Sequence, residues 1–145
     1  MQKKENNFSL CEDPADNRLQ LELTRLCDGL SYMSETDAPI KVFIGQKAAE
    51  ISLEEILRQT GHTDFEVIEE IPIEDFFEKL TIVREWYNTE RATRAAGFSE
   101  LKQYLEDSLT DERVFRIGKI QIEIFVVGLD TSGRIVGIKT RAVET

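Results

Sequence analysis

The sequence predicts an α+β domain, a mainly antiparallel sheet with helices packed on it, and three observations predict it. The first two thirds of the chain space apolar residues as helices do, between short strand-like runs. The last third alternates apolar and polar residues through glycine turns, as a strand meander does. The length, 145 residues, fits one well-filled core and is too short for two ordinary domains.

Residues 1 to about 12 are polar and without periodicity, and read as a mobile tail. Asp13-Pro14-Ala15-Asp16 opens the first helix, with Asp13 as N-cap and Pro14 at the first helical position, where its missing N–H costs nothing. Leu19, Leu23, Leu26 and Leu30 form one apolar stripe along it, and Gly29 permits a left-handed cap. Residues 31–39 read as a polar loop, and Ile40 to Ile44 as a strand ended by Gly45. Ser52-Leu53-Glu54-Glu55 is a capping box for a short helix that stops at Gly61. Phe65 to Glu69 alternates as a strand, and Pro72 begins a short helix carrying Phe76, Phe77 and Leu80.

A longer helix runs from Glu85 or Asn88 to Ser108, with Ala92, Ala95, Ala96, Leu101, Tyr104 and Leu105 as its buried side. Gly97 weakens it by about 1 kcal/mol relative to Ala and marks a kink or a break. Val114 to Ile117 then leads through Gly118 into Ile120, Ile122 and Ile124, which alternate with Gln121 and Glu123. Asp130-Thr131-Ser132-Gly133 turns the chain into the last strand, Arg134 to Val143.

Charge narrows the functions open to such a domain. The net charge is −10, which argues against binding nucleic acid through its phosphates and against docking on an anionic membrane. A basic partner fits better. The acidity is concentrated in residues 35–112, where 19 acids face 8 bases, whereas residues 113–145 hold 3 acids and 6 bases. Glu66, Glu69, Glu70, Glu74, Asp75 and Glu78 form the densest run, which is either a solvated face or an acidic surface matched to a cationic cleft. No apolar run is long enough to span a membrane, no secretory signal follows the basic start, and Cys11 and Cys27 make no disulfide framework. A reduced, cytoplasmic setting is expected.

Catalytic chemistry is poorly supported. His62, the only histidine, follows a helix-ending Gly61 and reads as a structural or loop residue, with no cysteine or carboxylate set around it for a metal. Cys27 lies beside the leucine stripe and reads as a small buried side chain. Asp130-Thr131-Ser132-Gly133 is explained by a turn, and the glycines are scattered rather than gathered into a phosphate-cradling loop. No cofactor is expected.

Several runs together resemble the nuclease A inhibitor (NuiA-like) family, proteins that block a sugar-non-specific DNA/RNA endonuclease. They are Asp28 to Glu35, Pro39 to Phe43, Gln59-Thr60-Gly61-His62, Asp75-Phe76-Phe77, Trp86-Tyr87, Val114 to Gly118 and Val143-Glu144-Thr145, in family order over residues 19–145. The resemblance implies an α/β/α sandwich without catalytic activity, comprising a single domain, 18–145, behind a flexible polar tail, 1–17. It implies a one-to-one complex, formed by a chain that is a monomer when free, with a Mg- or Mn-dependent nuclease.

The contacts it implies are Glu35 in the Met-Ser-Glu loop, the pair Glu85 and Trp86, and the terminal Thr145, which approaches the metal of the partner nuclease; the chain holds no metal of its own. Compared with family members that carry Asp before the Trp, Glu85 reaches one methylene further. Read without the resemblance, Trp86 is either core or interface, and Glu35 lies in an ordinary polar turn. The alternative function is an acidic interaction module of the same fold with a different basic partner; a carboxylate hydrolase ranks below both.

Overall fold

The computed structural model describes residues 14–62 and 67–144, the side chains of 14–16 excepted. Helix α1 spans Pro14–Cys27, and Leu19, Leu23, Leu26 and Leu30 are all buried, as their spacing requires. The expected N-cap, Asp13, lies outside the described residues. Residues 31–39 are a hairpin rather than a loop: β1 (Ser31–Met33) pairs antiparallel with β2 (Asp37–Pro39). Three-residue strands carry too little alternation to register as strands.

Strand β3, Lys41–Lys47, runs past Gly45 through a bulge. The side chain of Gln59 sustains it there, accepting from Gln46 N at 2.8 Å and donating back to Gln46 O at 3.3 Å. Helix α2 spans Leu53–Thr60, with Ser52 Oγ accepting from Glu55 N and Gly61 in the left-handed conformation that ends it. Only half of the capping box forms, because the Glu55 carboxylate bonds Arg58 and Gln59 instead. Strand β4 is Ile68–Ile71, two or three residues later than the alternation placed it; it starts opposite Ile117, the last residue of β5, and stops at Pro72, which has no N–H to give the ladder. Residues 63–66, including Phe65 and Glu66, lie outside the described set.

Helix α3, Ile73–Thr81, buries Phe76 and Phe77. Helix α4, Thr89–Ser108, starts on Asn88, whose side chain accepts from Arg91 N at 2.8 Å. Gly97 does not break it: the helix is continuous through this position. A Cβ there would lie 2.9 Å from Leu30 Cδ2, so the glycine lets α4 close over the end of the α1 stripe. The buried side of α4 is Ala95, Phe98, Leu101 and Leu105, with Ala92 and Tyr104 half-buried and Ala96 exposed.

Strands β5 (Thr110–Ile117), β6 (Gln121–Leu129) and β7 (Arg134–Val143) make the expected meander. They form the centre of a five-stranded, wholly antiparallel sheet ordered β3-β7-β6-β5-β4. The β6–β7 turn is held by the Asp130 carboxylate, which accepts from Ser132 N and Arg134 N, both at 2.9 Å. Alternation then sends Ile122, Ile124 and Val126 to a core shared with α1, α3 and α4. Phe125 and Val127 go to the other face, where Ile51, Ile56 and Leu57 of the α2 segment cover them. The domain is α+β, with three helices on one face of the sheet and one on the other. Among the described residues no helix is long and apolar enough to cross a membrane.

Candidate functional site

The β1–β2 hairpin ends on Ser34-Glu35-Thr36, and its position follows from the contacts beneath it. Tyr32 stacks on Phe76 of α3, with ring centroids 5.8 Å apart and planes inclined by 5°. On the other side Thr140, a buried hydroxyl of β7, donates to the carbonyls of Ala38 (3.3 Å) and Pro39 (3.1 Å). At the tip, Val143 N donates to Ser34 Oγ at 3.0 Å and Glu35 N donates to Val143 O at 3.3 Å. The tip and the last residue of β7 are therefore bonded in both directions, with the Glu35 side chain exposed. Met33 is half exposed.

The chain leaves the sheet beside that tip. Glu144 N donates to Ile120 O at 2.9 Å, and the Glu144 carboxylate meets Arg116 Nη2 at 2.7 Å. Arg116 Nε also approaches Glu69 of β4, at 3.4 Å. Burial works against the Arg116 charge, but the hydrogen bond and charge of Glu144, with Tyr32 and Glu69, outweigh it and hold the guanidinium above its ordinary range. Thr145 lies outside the described residues.

Glu85 and Trp86 form the turn between α3 and α4, closed by Tyr87 N donating to Arg84 O at 3.0 Å. Trp86 is 72% exposed, so of its two readings, core and surface, the structure selects surface. The Arg84 guanidinium sits 5.7 Å from the indole centroid and the Tyr87 ring stands edge-on at 6.3 Å. A cleft of about 230 Å³, lined by Ser31, Met33, Leu80, Tyr87 and Arg91 among others, separates this turn from the hairpin. Met33 of the hairpin that carries Glu35 and Tyr87, the neighbour of Trp86, thus line one cleft, although they are far apart in sequence.

The acidic run proves to be partly partnered. Glu69 faces Arg116, and Glu70 lies 3.9 Å from Arg113, which also approaches Asp111 at 3.4 Å. Glu112, on a bulge where Asp111 has φ 54, is pushed up to about 7, by burial first and then by Glu106 and Glu74. Lys41, Lys139 and Arg141 gather around a shallow hollow of about 180 Å³, on the sheet face covered by α2. Of the bases of the last segment, Arg113 and Arg116 thus meet acids of the middle segment, while Lys139 and Arg141 line this hollow.

The residues weighed as catalytic have structural surroundings. His62 Nδ1 lies 2.7 Å from Thr60 Oγ1 and Nε2 lies 3.0 Å from Glu123 Oε2, with Phe125 edge-on, so the ring fastens the end of α2 to β6. Burial pushes the Cys27 thiol up to about 12, which removes the thiolate needed for nucleophilic chemistry. Cys11 lies outside the described residues. Among the described residues, no three His, Cys, Asp or Glu side chains are grouped to hold a metal.

Two residues that tie the site together, Ser34 and Arg116, were not singled out in the sequence. Arg116 did leave a signal. In β5 it shares the face of Val114, which packs in the helix-covered core, and a charge at such an alternate position requires a partner. Ser34 looks like any turn residue, because its partner is a backbone N–H at the far end of the chain.

Comparison with known proteins bears on this geometry. A sequence model of the family described as Nuclease A inhibitor-like protein matches residues 17–145. No curated protein matches the chain. The match covers most of the chain, and the protein belongs to the nuclease A inhibitor-like family.

Proposed function

We propose that this member of the nuclease A inhibitor-like family is a one-to-one inhibitor of a Mg- or Mn-dependent, sugar-non-specific nuclease, binding as a monomer and closing its active-site cleft. The observation that carries the reading is the two-way hydrogen bonding between Val143 and the Ser34-Glu35 tip, which makes an exposed carboxylate and the chain end one surface. A nuclease groove is built to receive phosphates. Carboxylates presented on a rigid support take the phosphates' place without offering a bond to cleave, so the complex forms and does not turn over.

In this reading Glu35 meets an Arg or Lys of the groove, a charge-assisted pair that strengthens once water is excluded. Trp86 supplies a large rigid anchor, and Glu85 gives that contact a charged rim. Thr145 brings a hydroxyl and an α-carboxylate, hard oxygen ligands of the kind Mg²⁺ and Mn²⁺ accept, to the nuclease's metal. The inhibitor itself needs no cofactor and performs no reaction. The setting is the cytoplasm, in keeping with a buried free thiol at Cys27.

The test is to delete Thr145, and separately to add residues after it, and to measure nuclease inhibition alongside thermal melting. Weaker inhibition with an unchanged melt is expected. Variants that inhibit as well as the parent rule out the terminus as the group at the metal.

A further inference from the structure

We infer that Arg116 is a positioning residue that holds the chain end in register with the Glu35 hairpin, so that both parts of the binding surface meet the partner as one pre-formed unit. The inference rests on the inhibitor reading for its consequence, and on this structure alone for its geometry. The last backbone pairing of the sheet is Gln121 with Val143, followed only by the bond from Glu144 N to Ile120 O. A chain end beyond its last ladder bond ordinarily frays. Here the side chain just past that point is held at 2.7 Å by Arg116, whose own side chain is only 16% exposed.

The guanidinium is suited to this task because it is a planar fork. One nitrogen, Nη2, takes Glu144, while another, Nε, faces Glu69 on the edge strand, so the group is fixed from two sides. Val143 is fixed in turn by Ser34 Oγ and by the Glu35 amide. The hairpin tip, the last strand and the edge strand therefore share one chain of bonds that closes on Arg116. Arg116, Glu69, Val143 and Glu144 are not among the contacts of the inhibitor reading, so the effect of Arg116 on binding acts through the residues it holds. Freeing them returns about one residue's worth of ordering cost to the binding step, roughly a tenfold rise in the inhibition constant.

The experiment has one arm that needs no partner. In the free, full-length chain, amide hydrogen exchange at Val143, Glu144 and Glu35 is compared between the parent and Arg116→Gln. Exchange accelerated at these three amides, with the β5–β6 amides unchanged, is expected. Unchanged exchange overturns the inference whether or not any nuclease is inhibited.

The second arm uses a nuclease that the parent inhibits. Arg116→Gln should raise the inhibition constant about tenfold in the full chain and less than twofold when Thr145 is deleted. An equal loss in both backgrounds, or none in the full chain, overturns it. Should Arg116→Gln lower the melting temperature by more than a few degrees, Glu144→Gln breaks the same bond from its exposed end and must give the same non-additivity. A parent that inhibits no nuclease refutes the proposed function and leaves the exchange result to decide the clamp.

Discussion

Replacing Trp86 by alanine separates binding from folding more cleanly than any other single change. The side chain is 72% exposed, so truncating it leaves no cavity, and the loss of the Arg84 and Tyr87 contacts should cost the free protein within about 0.5 kcal/mol. Bound to a partner the arithmetic reverses. A tryptophan buries up to about 250 Å², and the 72% still available here is roughly 180 Å², worth about 4.5 kcal/mol at about 25 cal/mol per Å². Incomplete cover in the complex brings this to about 2–4 kcal/mol, a loss of about 30- to 1,000-fold in affinity. The assay is inhibition of a sugar-non-specific nuclease by graded amounts of parent and Trp86→Ala, with thermal melts of both. An inhibition constant within twofold of the parent refutes Trp86 as an anchor, and a collapse of the melt refutes its assignment to the surface.

Further outcomes follow from other parts of the structure. Glu112 is held up to about 7 against an ordinary value of 4.5, by burial first and then by Glu106 and Glu74, with Lys102 opposing. Between those two values the folded state holds the extra proton, so stability falls as pH rises through the window and is level above it. Glu112→Gln should flatten that fall and exceed the parent at pH 8 by about 1 kcal/mol, once solvent screening of a partly exposed group is allowed for; parallel denaturation curves from pH 5 to 8 would contradict this. Ser52→Ala removes the α2 cap and should cost about 1 kcal/mol, or about 3–5 °C in the melt, with inhibition unchanged. Because bulk acidity acts on encounter, raising salt from 50 to 300 mM should slow association several-fold and change dissociation little, as measured by stopped flow.

The parts of the fold legible in the sequence were those with a local cause. The leucine stripe of α1, the caps at Ser52 and Gly61 and the alternation of β6 each depend on residues a few positions apart, and each appears where its pattern placed it, save that Ile120 precedes β6 and is exposed. What escaped was set by distant partners. Gly45 seemed to end β3, but the side chain of Gln59 carries the strand across it; Gly97 seemed to interrupt α4, but its missing Cβ is space for Leu30. The polar stretch 31–39 became a hairpin because Phe76 and Thr140 support it from two sides.

The site divides in the same way. Glu35 and Trp86 were marked by resemblance, and both are exposed; Arg116 shows in the sequence only as a charge at an alternate strand position whose partner, Glu144, the fold supplies, and Ser34 is recognisable only once Val143 is brought beside it. Acid counting also overstated the acidic run, since Glu69 and Glu70 meet arginines of the neighbouring strand. Net charge locates a partner's sign, but the pairing of strands decides which carboxylates remain to meet it.

The central claim is tested most directly by titrating the full-length chain into a purified metal-dependent, sugar-non-specific nuclease held well above the inhibition constant, with polynucleotide cleavage as the readout. Activity falling in a straight line to zero at one equivalent is the predicted result. Full nuclease activity at a several-fold molar excess would contradict the account for that enzyme.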